Sequence, residues 1–223
     1  MSDFQPLRIR AYLQSGVLSD GYLPIDGILY SHHVRNHWGA EEISLPNQSY
    51  MPPGKRLASL PHLPLKQINS HTKDWYYAAS FAQWPAHTVM FQDAWSKRLD
   101  LGLVHLLDQK TKRVDPASGK YKGYRMPVFG RSALWVEWYV VGQQDAIEQL
   151  LTFVLFLGKK PAQGYGAVLR WEVQTWPEDW SVYGPQQQLM RAIPALNGSG
   201  LRYGLRPSYH NPQQQILCLL PQN

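Results

Sequence analysis

Leu157-Gly158-Lys159-Lys160-Pro161-Ala162-Gln163-Gly164-Tyr165-Gly166 lies between a helical pattern and a strand pattern, and its direction of travel sorts the folds open to this chain. Upstream, Ile147, Leu150, Leu151, Val154 and Leu155 follow the three-four spacing of a core-facing helix stripe. Asp145 and Glu148 fall in the first turns, where carboxylates suit the helix dipole, and Gly158 ends the pattern. Downstream, Ala167 to Gln174 alternates as a strand. A phosphate-binding P-loop needs four residues between its glycines, then Lys-Ser or Lys-Thr, and it leads from strand into helix. Here five residues separate Gly158 from Gly164, no Ser or Thr follows the lysines, and the order is reversed. Nucleotide hydrolysis is therefore not expected. What remains is a turn whose glycines let the backbone bend tightly and a ligand approach closely. Two lysines and a tyrosine beside them suit a polyanion with stackable bases. The same residues also fit a plain helix C-cap with solvated lysines.

The chain has 223 residues, 44% of them apolar, enough for one large domain or two small ones. The start, Met1-Ser2-Asp3-Phe4-Gln5-Pro6, carries no signal-peptide pattern, and no apolar run approaches a membrane span. A soluble, cytoplasmic protein without membrane contact is expected. The single cysteine, Cys218, excludes an internal disulfide and a multi-cysteine zinc site, and its apolar neighbours suit a buried, inert thiol. Residues 97–131 hold nine basic and three acidic side chains, so this stretch carries the whole net charge of +6. Concentrated positive charge among aromatics is the footprint of nucleic-acid binding; a solvated basic loop is the plainer alternative.

Leu7, Ile9, Ala11 and Leu13 alternate with Arg8, Arg10 and Tyr12, which predicts a half-buried strand. Its outer face, with two guanidinium groups and a ring, is what an RNA-binding sheet would present. A helix is expected from about Asp26, with Asp26 as its cap and Ile25, Ile28, Leu29 and His32 facing inward. His33 and His37, four apart, share a helix face and could bind a metal or act as a general base, although such histidines are more often surface residues. Residues 39–64 read as a proline-rich connection, Leu65–Asn69 as a short strand, and Trp75–Trp84 as a longer one. Periodicity is weak from Pro85 to Gly130. Lys110–Val114 and Lys120–Met126 flank a turn at Asp115–Gly119, which predicts a basic hairpin or arm. Ser132–Val141 is apolar on both faces and reads as a central strand. The resulting order, without its excursions, is the β-α-β-β-α-β of an α+β, ferredoxin-like (RRM-like) domain. We expect residues 1–175 to form this domain, with the basic thumb inserted at about 85–130. Residues 176–223 are expected as an irregular extension packed on it, with short strands near 201–205 and 216–220.

The glycine-rich turn between helix and strand resembles that of the RAMP superfamily of CRISPR-associated RNA-binding proteins. Lys120-Tyr121-Lys122-Gly123-Tyr124-Arg125-Met126-Pro127 and Leu23-Pro24-Ile25-Asp26-Gly27-Ile28-Leu29 look like the subgroup found in type IV CRISPR effector complexes. Within it the chain is most similar to the Csf-type "Cas-five" subunit, over about residues 6–175. That resemblance implies a non-catalytic, antiviral-defence role in a ribonucleoprotein complex: capping the 5′ handle of the guide RNA. It implies a backbone subunit and a large subunit as partners, leaves contact with target DNA open, and implies no cofactor and no metal. Carried over by position, Gly158, Lys159, Lys160, Gly164, Tyr165 and Gly166 would contact the RNA backbone. Lys120, Tyr121, Lys122, Tyr124 and Arg125 would belong to the thumb, joined on the sheet face by Arg8 and Arg10. The competing reading is a metal-independent endoribonuclease of the same superfamily that processes repeat RNA. His33 or His37 would then activate a ribose 2′-hydroxyl and Lys159 would steady the charge.

Overall fold

The computed structural model describes residues 3–19, 21–43, 62–70, 74–98, 115, 122–196, 198–212 and 215–222, with backbone only for 35–43. In chain order the elements are β1 (Gln5–Leu13), β2 (Val17–Leu18), α1 (Ile25–Ile43), β3 (Gln67–Asn69), β4 (Trp75–Tyr77), β5 (Val89–Lys97), β6 (Tyr124–Ser132), β7 (Trp135–Gly142), α2 (Gln144–Leu151), β8 (Val168–Thr175), β9 (Ile193–Pro194), β10 (Leu201–Gly204) and β11 (Gln215–Leu219). The result is an α+β protein with mostly antiparallel strands. Among the described residues no helix is long and apolar enough to cross a membrane.

The central sheet has the order β7-β1-β8. β1 pairs antiparallel with both neighbours, Ile9 standing opposite Trp138 on one side and Val173 on the other. Antiparallel bridges from Leu65 to Gly142, Ala79 to Val140 and Gln83 to Glu137 extend it past β7. The β3–β4 hairpin interrupts that outer stretch. β1 alternates as its sequence predicts: Leu7, Ile9, Ala11 and Leu13 are buried. They meet Val136, Trp138 and Val140 of β7, Ile25 and Leu29 of α1, and Ile147 and Leu151 of α2 in one core. The Trp138 indole also donates to the Leu23 carbonyl at 2.9 Å, tying β7 to the start of α1.

Four expectations change. First, α2 ends at Leu151, not near Leu157, and Leu155 is 62% exposed. Residues 154–157 run extended because strand-like bonds compete successfully with the helix: Leu157 donates to Gly166 O at 2.8 Å and Val168 to Leu155 O at 3.0 Å. Second, Asp26 is not a cap. It lies within α1, fully buried, and accepts the Tyr209 hydroxyl at 2.7 Å. Third, the strand expected over Trp75–Trp84 is regular only at Trp75–Tyr77 and continues as single bridges at Ala79 and Gln83, because the segment runs between two cores. Tyr77 and Ala79 join the first, while Tyr76 and Phe81 join a second with Ala192, Leu205, Tyr209 and Cys218. Fourth, beyond 176 the short strands expected near 201–205 and 216–220 are present as β10 and β11, and β9 joins them in a three-stranded sheet on that second core. Cys218 is buried there, and burial lifts its thiol to about 11, so it stays protonated at neutral pH.

β5 and β6 form a nine-pair antiparallel ribbon from Val89↔Ser132 to Lys97↔Tyr124, with β2 pairing at its foot through Val17↔Arg131 and Leu18↔Gly130. A hairpin therefore inserts where a basic arm was expected. Its strands lie at 89–97 and 124–132, a region whose weak periodicity predicted none. The expected Asp115–Gly119 turn and the flank at 110–114 lie outside the described residues, apart from Asp115.

Candidate nucleic-acid interface

The glycine-rich loop is built on left-handed backbone. Gly158, Lys160, Gly164 and Gly166 have φ of 72°, 63°, 85° and 72°. Two of these glycines are also sterically required. A Cβ on Gly158 would stand 2.2 Å from Leu18 O, and one on Gly166 would stand 1.9 Å from Leu157 O. Gly164 differs: among the described residues no atom outside its chain neighbours lies within 4 Å of where its Cβ would be. It is the point at which another backbone could come closest.

The turn after β1 clamps this loop. Gly166 donates to Gly16 O at 2.8 Å, Gln14 donates to Ala167 O at 2.9 Å, and Lys159 donates to Leu18 O at 2.8 Å. The Ser15 hydroxyl donates to Gly164 O at 2.7 Å and accepts from the Ala167 amide at 2.9 Å. Gln14-Ser15-Gly16 reads in the sequence as turn chemistry only. The serine hydroxyl beside the glycines was the available signal, but its partner is 149 residues away.

The loop also meets the ribbon. Tyr165 stacks on Phe91 at 6.1 Å with planes 12° apart, and its hydroxyl donates to the Asp93 carboxylate. That bond holds the Asp93 carboxyl below its ordinary value and raises the Tyr165 hydroxyl. The Phe91 ring fits because two glycines make room: a Cβ on Gly16 or Gly130 would come within 2.5 or 2.4 Å of it. Lys160 Nζ sits 3.4 Å from the Trp95 ring centroid. Trp95 in turn meets Tyr124 edge-on at 5.1 Å, and Lys97 Nζ lies 5.9 Å from the Tyr124 centroid. A row of rings and ammonium groups thus runs from loop to ribbon, the combination that holds bases by stacking and phosphates by charge. Phe91, Trp95 and Lys97 escaped the sequence reading because no short-range pattern links them to residue 160.

Of the expected thumb residues, Tyr124 takes part in this row. Arg125 is exposed opposite Ser96, on the ribbon's other face by strand alternation, and Lys122 is exposed just before β6. Lys120 and Tyr121 lie outside the described residues. On the open sheet face Arg8 and Arg10 are held in ion pairs. Arg8 pairs with Glu172 at 2.9 Å, Arg10 with Glu137 at 2.7 Å, and their side chains are 14% and 20% exposed. Arg8 also lies over the Trp176 ring and Arg10 over Trp135. Burial raises Glu172, but hydrogen bonds from Arg170 and Tyr12 and the charges of Arg8 and Arg10 outweigh it, and the carboxyl titrates below its ordinary value. This face is an ion-pair layer of Arg8, Arg10 and Arg170 with Glu137 and Glu172.

His33 is half-buried in a groove of about 800 Å³ with Phe4, His62, Gln143 and Phe153. Lys159 does not line that groove, and it is held at Leu18 instead. The His37 side chain lies outside the described residues. The general base and cation of a nuclease are therefore not brought together by His33 and Lys159.

No curated protein matches the chain. The family described as CRISPR type IV associated protein Csf3 matches residues 5–183. That span contains β1 through β8 and so includes the loop, its clamp and the ribbon. The chain therefore belongs to the Csf3 family of CRISPR type IV associated proteins.

Proposed function

We propose that this protein is the RNA-binding subunit of a type IV CRISPR effector complex and caps the 5′ handle of the guide RNA without turnover. The carrying observation is the union of the glycine-rich loop with the β5–β6 ribbon. Tyr165 rests on Phe91 and Lys160 on Trp95, next to a glycine, Gly164, with open space around it. The backbone of an RNA strand would cross Gly164, its phosphates would meet Lys159 and Lys160, and its bases would stack against the ribbon's rings. A ferredoxin-like reading of the domain is supported by the order β8-β1-β7, by the antiparallel bridges beyond β7, and by two helices packed on one face. The described face would serve the RNA in the cytoplasm, leaving other surfaces to the backbone and large subunits.

The test is fluorescence anisotropy with guide RNA carrying its 5′ handle and with the same RNA lacking it. Removing the handle is expected to weaken binding about tenfold or more, the equivalent of roughly one stacked base. Equal affinity would sink the capping role. Absence of turnover is checked by incubating the protein with repeat RNA in EDTA. The RNA is expected to stay intact; specific cleavage that His33→Ala abolishes would establish a nuclease instead.

A further inference from the structure

The strand that carries Gly130 toward Phe91 and the loop presents its next residue, Arg131, to the opposite side of the ribbon's foot. There a second cavity of about 570 Å³ opens, walled by Tyr22, Phe81, Gln83, Trp84, Arg131 and Gln188 among others. Its size falls within the range that encloses a small ligand. Its wall joins both cores: Trp84 packs on the first, while Tyr22 and Phe81, 5.1 Å apart, belong to the second. Arg131 is fixed by donating to Gly21 O at 3.0 Å and lies 5.6 Å from the Trp84 ring centroid. A guanidinium carries five donors, so the bond to Gly21 leaves others for an anion.

The wall therefore offers ring faces for stacking, carboxamides for a base edge, and a cation for phosphate. An aliphatic ligand would use the rings but leave the cation unmatched.

We infer that this cavity binds one unstacked nucleotide of the RNA strand, its base against Trp84 and its phosphate at Arg131. β6 turns Gly130 toward Phe91 beside the loop and Arg131 into the cavity, so the two surfaces share this strand. The inference rests on the RNA-binding reading and adds to it a single-base subsite on the other face of the ribbon.

The test is an abasic scan of the guide RNA, position by position, against the wild-type protein and Trp84→Ala. At one position the abasic change is expected to weaken wild-type binding about tenfold, and the same change is expected to have little effect on Trp84→Ala. Trp84→Phe, which keeps a ring, should restore part of the coupling. In parallel, 5-iodouridine at that position should crosslink on irradiation to the wild-type protein, at a peptide containing Trp84 or Tyr22. That readout needs no variant to fold. Additive effects at every position, with no crosslink to those peptides, would overturn the subsite while normal RNA affinity kept the RNA-binding reading intact. Failure of the wild-type protein to bind any guide RNA would remove both.

Discussion

Replacing Arg191 with methionine is expected to destabilise the protein by about 3–5 kcal/mol, the range for breaking a buried ion pair from one side. Arg191 and Asp26 are both fully buried, and the guanidinium stands 3.9 Å from the carboxylate. Its nitrogens also donate to Tyr77 O, to Ala79 O at 2.9 Å, to Leu205 O at 2.6 Å and to Ala192 O at 3.2 Å. One side chain thus joins the β4 segment to Leu205 just after β10, and Tyr209 closes the cluster by donating to Asp26. Methionine would fill much of the volume but leave those carbonyls without their donor and the carboxylate without its cation. Burial already raises the Asp26 carboxyl, against the pull of Arg191 and Tyr209. Without Arg191 it would rise further. A domain of this kind has only about 5–15 kcal/mol in hand, so the loss would show plainly in urea unfolding at neutral pH. Adding Asp26→Asn to the variant should recover part of the loss, because neutralising the orphaned charge makes the two changes non-additive. A loss below 1 kcal/mol would mean that the cluster does not hold the C-terminal sheet to the domain.

The second large effect separates two glycines that look alike in the sequence. Gly166→Val should cost roughly 3 kcal/mol, combining left-handed strain on a β-branched residue with an overpacked site. The clash is with Leu157 O, and Gly166 also makes two of the loop's backbone bonds, with Leu157 and Gly16. Gly164→Ala meets no neighbour and should cost only the left-handed penalty of about 1–2 kcal/mol. Its effect should fall on RNA instead, because the methyl group would occupy the space where the backbones approach. Thermal melts and RNA titrations on both variants decide the matter. A Gly164→Ala protein that binds RNA like wild type would place the contact elsewhere on the loop.

The central strand and its neighbours were legible because burial imposes a period on one face. Leu7, Ile9, Ala11 and Leu13 show it, and so do the ends of β7 and β8, found within a few residues. Where neither face is buried the signal vanishes. β5 mixes exposed residues such as Val89, Gln92 and Lys97 with half-exposed Phe91, Ala94 and Trp95 and buries none, so its sequence carries no stripe. α2 fails differently. Leu155 keeps the helical spacing, but the pairing of Leu155 with Val168 and of Leu157 with Gly166 wins locally over helix propensity. In the C-terminal sheet β10 and β11 fall near the short strands expected at 201–205 and 216–220, whereas β9 is two residues long, too short for periodicity to register. The candidate site was half legible. Glycines and lysines at 158–166 are a local motif, whereas Ser15, Phe91 and Trp95 join it only through the fold. The ion pairs of Arg8 and Arg10 were hidden for the same reason: their partners, Glu172 and Glu137, are over a hundred residues away.

The most direct measurement of the central claim is the salt dependence of guide RNA binding for wild type and for Lys159→Ala/Lys160→Ala. Each phosphate contact on a single strand contributes about 0.7 to the slope of log affinity against log salt. If both ammonium groups meet RNA phosphates, the double variant should bind more weakly with a slope reduced by about 1.4. A double variant that keeps the wild-type affinity and slope would contradict an RNA backbone on the glycine-rich loop.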